Sequence, residues 1–162
     1  MITDKSKQLN IQFNDLSAQW KCIKNNAVER IDQLFEKSYF IGGKDIALFE
    51  ENFSKWNNSQ FATGCSNGTD AIKLALQAME LKGEIGLFIP SNTYIATILA
   101  AENAYPNASM HLIDCDQYFQ IDTEILEDVL NKQRQKYDFA VILPVHLYGH
   151  TVDIKEIKRL AE

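Results

Sequence analysis

The 162-residue sequence has few of the residues that build special architectures: three cysteines, three prolines and seven glycines. Cys22, Cys65 and Cys115 are odd in number and far apart. That excludes a disulfide framework and a paired-cysteine metal site, and it fits a reducing cytosol. The shortage of proline and glycine leaves little room for disordered linkers. Positive charge is scarce as well: 16 Lys and Arg stand against 22 Asp and Glu, a formal net charge of -6. A nonspecific grip on nucleic acid needs clustered cations, so that partner class falls away. The densest basic stretch, Lys132 to Lys136 in NKQRQK, sits at an expected helix end, where it complements exposed carbonyls. No apolar run approaches the roughly 20 residues of a membrane span. The segment ITDKSKQLN after Met1 has no signal-peptide core. A cytoplasmic protein with no membrane partner is the expectation.

What is present begins with helix. From Asp15, Leu16, Trp20, Ile23, Ala27, Ile31 and Leu34 recur at steps of three and four; after SYFIGG, Ile46, Phe49, Phe53 and Trp56 repeat the pattern. Two amphipathic helices joined by a Gly-Gly turn follow, and residues 1–58 form an N-terminal helical segment. From residue 59 the pattern changes. QFATGCS, EIGLFIP, SMHLIDCD and DFAVILPVHLYG read as short strands, alternating with helices over GTDAIKLALQAMEL, TYIATILAAENA and DTEILEDVLNKQRQ. In the first of these helices the polar residues Lys73, Gln77 and Glu80 fall on one stripe, so that helix should be mostly buried; in the third, Ile125, Leu126, Val129 and Leu130 face inward. Asp153 and Glu156 are spaced as a capping box on DIKEIKRLAE. The fold class is therefore α/β: N-terminal helices, then a mainly parallel βαβ sheet covered by helices. Ligands of such sheets sit beyond the carboxyl ends of the strands, so SNGTD, PSNTY and PVHLYGH should line one crevice. The alternation also predicts a further strand after the last helix, as in the front part of a longer protein.

The segment GCSNGTDAIKLAL raises the question of function. A helix that opens at Gly68 leaves backbone N–H groups unpaired and carries the positive end of the helix dipole. Gly68 lets a bulky group approach the main chain, and Thr69 offers a hydroxyl, which together describe a phosphate cradle. The Walker and dinucleotide glycine patterns do not fit. A simple N-cap turn explains the same residues, and both readings stand. Tyr94, at the start of the next helix, could stack on a planar ligand, or could be a half-buried residue with its hydroxyl at the rim. A phosphate seat beside an aromatic plate points to a phosphorylated heteroaromatic cofactor. His146, near the same strand ends, is assigned no catalytic role.

These blocks resemble the sugar aminotransferases of the DegT/DnrJ/EryC1/StrS type, pyridoxal-phosphate enzymes of the type I (aspartate aminotransferase) fold. FNDLSAQW, YFIGGKDIALFEENFSKW, CSNGTDAIKLAL, IPSNTYIAT and PVHLYGHTVDIKEI follow in the family's order and cover nearly all of residues 11 to 162. The resemblance implies that residues 59–162 are the first part of the pyridoxal-phosphate domain. It implies that Gly68, Thr69 and Asp70 hold the cofactor phosphate and that Tyr94 stacks on the ring. It further implies that glutamate serves as amino donor to a nucleotide-linked keto-deoxy sugar, in a homodimer. In the family, the lysine that anchors the cofactor and moves the proton, and the acid that pairs with the ring nitrogen, lie in segments that correspond to positions beyond Glu162. The 162 residues alone are therefore expected to be inactive, with no catalytic residue of their own. Two alternatives stay open: a dehydratase of the same family that uses pyridoxamine phosphate, with histidine in the lysine's place, and a phosphate-binding α/β domain without chemistry.

Overall fold

A computed structural model describes residues 13–162; the ITDKSKQLN stretch lies outside them. The chain separates into two compact units on either side of Gly64–Cys65. The first contains two helices, α1 (Leu16–Lys37) and α2 (Lys44–Trp56). Asp15 caps α1, its carboxylate accepting from the Ala18 N–H at 3.0 Å and the Ser17 hydroxyl at 2.7 Å. Between the helices Gly42 and Gly43 both have positive φ, which favours glycine, and at Gly43 a β-carbon would also run into the Tyr39 ring. Neither helix buries a residue. Their apolar stripes, with Trp20, Phe35, Phe49 and Trp56, stay uncovered.

The second unit contains α3 (Gly68–Gln77), β1 (Ile85–Pro90), α4 (Ile95–Ala104), β2 (Ser109–Ile113), α5 (Thr123–Gln133), β3 (Phe139–Ile142) and α6 (Ile154–Ala161). The three strands form one parallel sheet in the order β2-β1-β3. Strand parity sorts the core into two layers. Leu87 and Ile89, with Val141 and Leu143, face Leu76 of α3 and Ala101 of α4. Phe88, Ile113 and Ile142 face Leu126 and Leu130 of α5 and Ile157 of α6. With helices on both faces, the central strand β1 is buried along its whole length, which is why IGLFIP is a continuous apolar run.

Four expectations are corrected. QFATGCS forms no strand, because a strand exists only by pairing its N–H and C=O groups with a neighbour, and the described sheet offers this segment none. Nor is α3 mostly buried: Leu76 alone is, while Leu74, and Met79 just past the helix, are about half exposed. At α6, Asp153 accepts from the Lys155 and Glu156 N–H groups as a cap should. Glu156, however, does not reach back to close a box; its carboxylate binds Arg159, which also reaches Glu127 of α5 at 2.7 Å. On α5, Leu126 and Leu130 are buried, whereas Ile125 is 39% exposed. Among the described residues no helix is long and apolar enough to cross a membrane.

One titratable group is built into the sheet. His111 of β2 lies opposite Phe88, ring on ring at 4.7 Å, and its Nε2 is 2.8 Å from the Tyr137 hydroxyl. Burial, and secondarily the Lys136 charge, push its pKa below the ordinary 6.5. The unfolded chain therefore binds the proton more readily than the native one, and stability should fall as pH drops from above 6.5 through the lowered native value. Denaturant unfolding between about pH 7.5 and pH 5 should show His111→Gln losing less stability than the wild type. Equal losses would remove His111 from the acid response.

Candidate functional site

The sequence SNGTD organises the start of α3. Asn67, in extended conformation, is the N-cap, and its Oδ1 accepts from the Asp70 N–H at 2.9 Å. Asp70 returns the interaction: its carboxylate accepts from Asn67 Nδ2 at 3.0 Å and from the Ser66 hydroxyl. The cap is thus Asn67, in place of the glycine–threonine pair, and asparagine is among the best capping residues. Thr69 is relieved of that task. Among the described residues, the main-chain N–H groups of Gly68 and Thr69 and the Thr69 hydroxyl have no hydrogen-bond partner. Asp70 differs from its two neighbours, because its own N–H is already donated to Asn67.

Gly68 is informative for what does not surround it. Its φ is not in the left-handed region, and a β-carbon there would meet nothing within 4 Å. Neither backbone strain nor packing within the chain calls for glycine at this position. This open position and two free donors stand together at the positive end of a helix, which suits an oxyanion group such as a phosphate.

Tyr94 is the N-cap of α4, reached from β1 through Ser91, Asn92 and Thr93. It makes no side-chain capping bond and is 77% exposed in this chain. Thr93 and Thr97 hydroxyls, 2.9 Å apart, tie the loop to the first turn of the helix. Two observations bring α3 and α4 into register. The helices pack along their sides, and the Tyr105 hydroxyl at the end of α4 donates to Leu76 O at 2.7 Å and accepts from the Leu81 N–H at 3.2 Å. Helices of equal length joined at their C-terminal ends open their N-termini at the same end of the sheet. The turn at Gly68 and the ring of Tyr94 therefore belong to one rim.

The loop after β3 completes that rim. His146 Nδ1 accepts from the Val152 N–H at 3.2 Å. Thr97, Ile72 and His146 line a groove of about 570 Å³ that runs along β3. The groove is mostly apolar and carries no charged lining.

The profile of the DegT/DnrJ/EryC1/StrS aminotransferase family matches residues 21–162. The chain belongs to this family. It is 29% identical, over 95% of its own length and 40% of the other's, to a pleiotropic regulatory protein of Geobacillus stearothermophilus. It is 24% identical, over 99% of its length and 41% of the other's, to dTDP-3-amino-3,4,6-trideoxy-alpha-D-glucose transaminase of Streptomyces venezuelae. Among solved structures, a family aminotransferase from Brucella abortus superposes with a TM-score of 0.81 at 27% identity, over 93% of this chain and 41% of that one. Relatives of the fold include forms bound to pyridoxamine phosphate and pyridoxal phosphate. The chain spans about 40% of the length of these relatives.

Proposed function

We propose that the protein of which this chain is part is a pyridoxal-phosphate aminotransferase that places an amino group on a nucleotide-linked keto-deoxy sugar. Glutamate serves as donor, and the enzyme acts as a cytoplasmic homodimer. Family membership supports the reaction class; the nucleotide-sugar substrate is supported by the activity for which the transaminase relative is named. Within this chain the observation that carries the reading is the pair of unpartnered amides at Gly68 and Thr69 beside open space, on the same rim as an exposed Tyr94.

In this reading the Gly68 and Thr69 amides and the Thr69 hydroxyl bind the cofactor phosphate. Asp70 contributes through Ser66 and Asn67, which its carboxylate holds so that the turn keeps its shape before the ligand arrives. The Tyr94 ring would offer the cofactor's ring a face to stack on and would shield that side from water. The cofactor, when bound, supplies the electron sink for moving an amino group between carbon skeletons. The residues of this chain fix its position and charge environment.

Titration of the full-length protein with pyridoxal phosphate, followed by the visible band of the bound cofactor and its trapping by borohydride, tests the reading. A folded protein without such a band refutes it. Thr69→Ala should weaken cofactor affinity by about 1 kcal/mol or more, since a hydrogen bond to a charged phosphate is lost. An unchanged Kd would take Thr69 out of the phosphate seat.

A further inference from the structure

Gln120 is a carboxamide with only 6% of its surface exposed, next to Ile121 in the core beneath α5 and α6. Burying such a group costs free energy unless its donors and acceptors are matched. Its main chain closes a short hairpin after β2: its N–H donates to Asp116 Oδ1 at 3.0 Å and its carbonyl accepts from the Asp116 N–H at 2.8 Å. An antiparallel bridge between Cys115 and Ile121 seals the hairpin. Its side-chain nitrogen, in the orientation that satisfies both ends of the amide, donates to two carbonyls of the loop after β3, His150 O at 3.1 Å and Val145 O at 3.2 Å.

Those two carbonyls bracket a strained turn. Tyr148 lies between them at φ 54, in the left-handed region, with its side chain fully exposed. A non-glycine residue keeps such a conformation only when its surroundings over-determine it. Here the turn is held by Gly149 N–H to His146 O, His150 N–H to Leu147 O, and Val152 N–H to His146 Nδ1, as well as by Gln120. On its other side the same hairpin holds the aromatic loop, since Phe119 O accepts from Asn92 Nδ2 at 3.0 Å. Two consecutive residues, Phe119 and Gln120, thus tie the loop after β1 to the loop after β3.

We propose that Gln120 is a positioning residue: by holding the Val145 and His150 carbonyls it fixes the β3 turn against the Tyr94 loop and so sets the width of the crevice between them. The functional part of this inference rests on the aminotransferase reading. The Gln120 side chain reaches only the β3 turn, whereas the Gly68 turn shares no hydrogen bond with it and the Tyr94 loop is held separately by Asn92 to the Phe119 carbonyl and by the Thr93–Thr97 pair, so loss of the tie should act on the acceptor sugar and spare the cofactor.

The test uses the full-length protein with Gln120→Met, which keeps length and removes the donor. Gln120→Glu, an acceptor-only group facing two carbonyls, is the second variant should the first fail to fold. Amide hydrogen exchange at Gly149, His150 and Val152 should quicken by about tenfold or more, while Leu87 and Ile89 of β1 stay unchanged. KM for the keto-sugar acceptor should rise by about tenfold, with the Kd for pyridoxal phosphate within about twofold of wild type. Unchanged exchange at the three amides overturns the tie. Faster exchange with unaltered KM and kcat, or with KM and cofactor Kd rising together, overturns the positioning role. A wild-type protein that binds no cofactor defeats the aminotransferase reading, and the exchange result still decides the tie.

Discussion

Phe88→Ala should destabilise the protein by about 3–5 kcal/mol in denaturant unfolding. Phe88 sits at the middle of β1, the strand with neighbours on both sides, and none of its surface reaches solvent. Its ring lies against His111 on the neighbouring strand and within the cluster of Ile113, Leu126, Val152 and Ile157. Those partners come from a strand, two helices and a loop, which cannot all move inward, so truncation leaves a cavity instead of a collapsed core. Leu74→Ala provides the contrast. That side chain is 52% exposed on α3 and its removal should cost about 1 kcal/mol or less. Similar losses for the two variants would show that the layer beneath α5 and α6 is not the stabilising core.

Gly68→Asp should separate binding from folding. The added carboxylate would occupy the space beside the free amides of Gly68 and Thr69 and meet a phosphate dianion with like charge. Cofactor affinity should fall by on the order of 100-fold or more, from lost charge-assisted hydrogen bonds and added repulsion. Fold stability should hold or rise slightly, because a β-carbon there touches nothing and an acidic group near a helix N-terminus contributes about 0.3–1 kcal/mol. Calorimetric titration with pyridoxal phosphate and thermal unfolding of the apoprotein measure the two quantities separately. A Kd within about threefold of wild type would move the phosphate away from this turn.

The fit between sequence and structure is uneven for physical reasons. Helix boundaries were legible where a short polar side chain caps them: Asp15, Asp122 and Asp153 stand where the periodic apolar pattern begins, and each accepts from the first-turn N–H groups. β1 was legible because a strand buried on both faces has to be apolar throughout. QFATGCS carries the same local signal without becoming a strand, since propensity supplies no hydrogen-bond partner. At the site, glycine and threonine drew the eye in SNGTD, yet Asn67 does the capping, and only its placement leaves the Thr69 hydroxyl unengaged. Gln120 had no visible signal. A glutamine between Phe119 and Ile121 looks like any turn residue until the loop after β3 folds over it.

By itself the sequence determined the order and type of most elements, the parallel α/β class and the turn that opens α3, because these depend on short-range periodicity and on backbone chemistry within a few residues. The tertiary structure alone decided which donors at that turn stay unpaired, that Tyr94 shares its rim, and that one hairpin ties two loops together. Each of those depends on contacts between residues far apart in the chain or on which of several local partners takes a given hydrogen bond, and a linear pattern specifies neither.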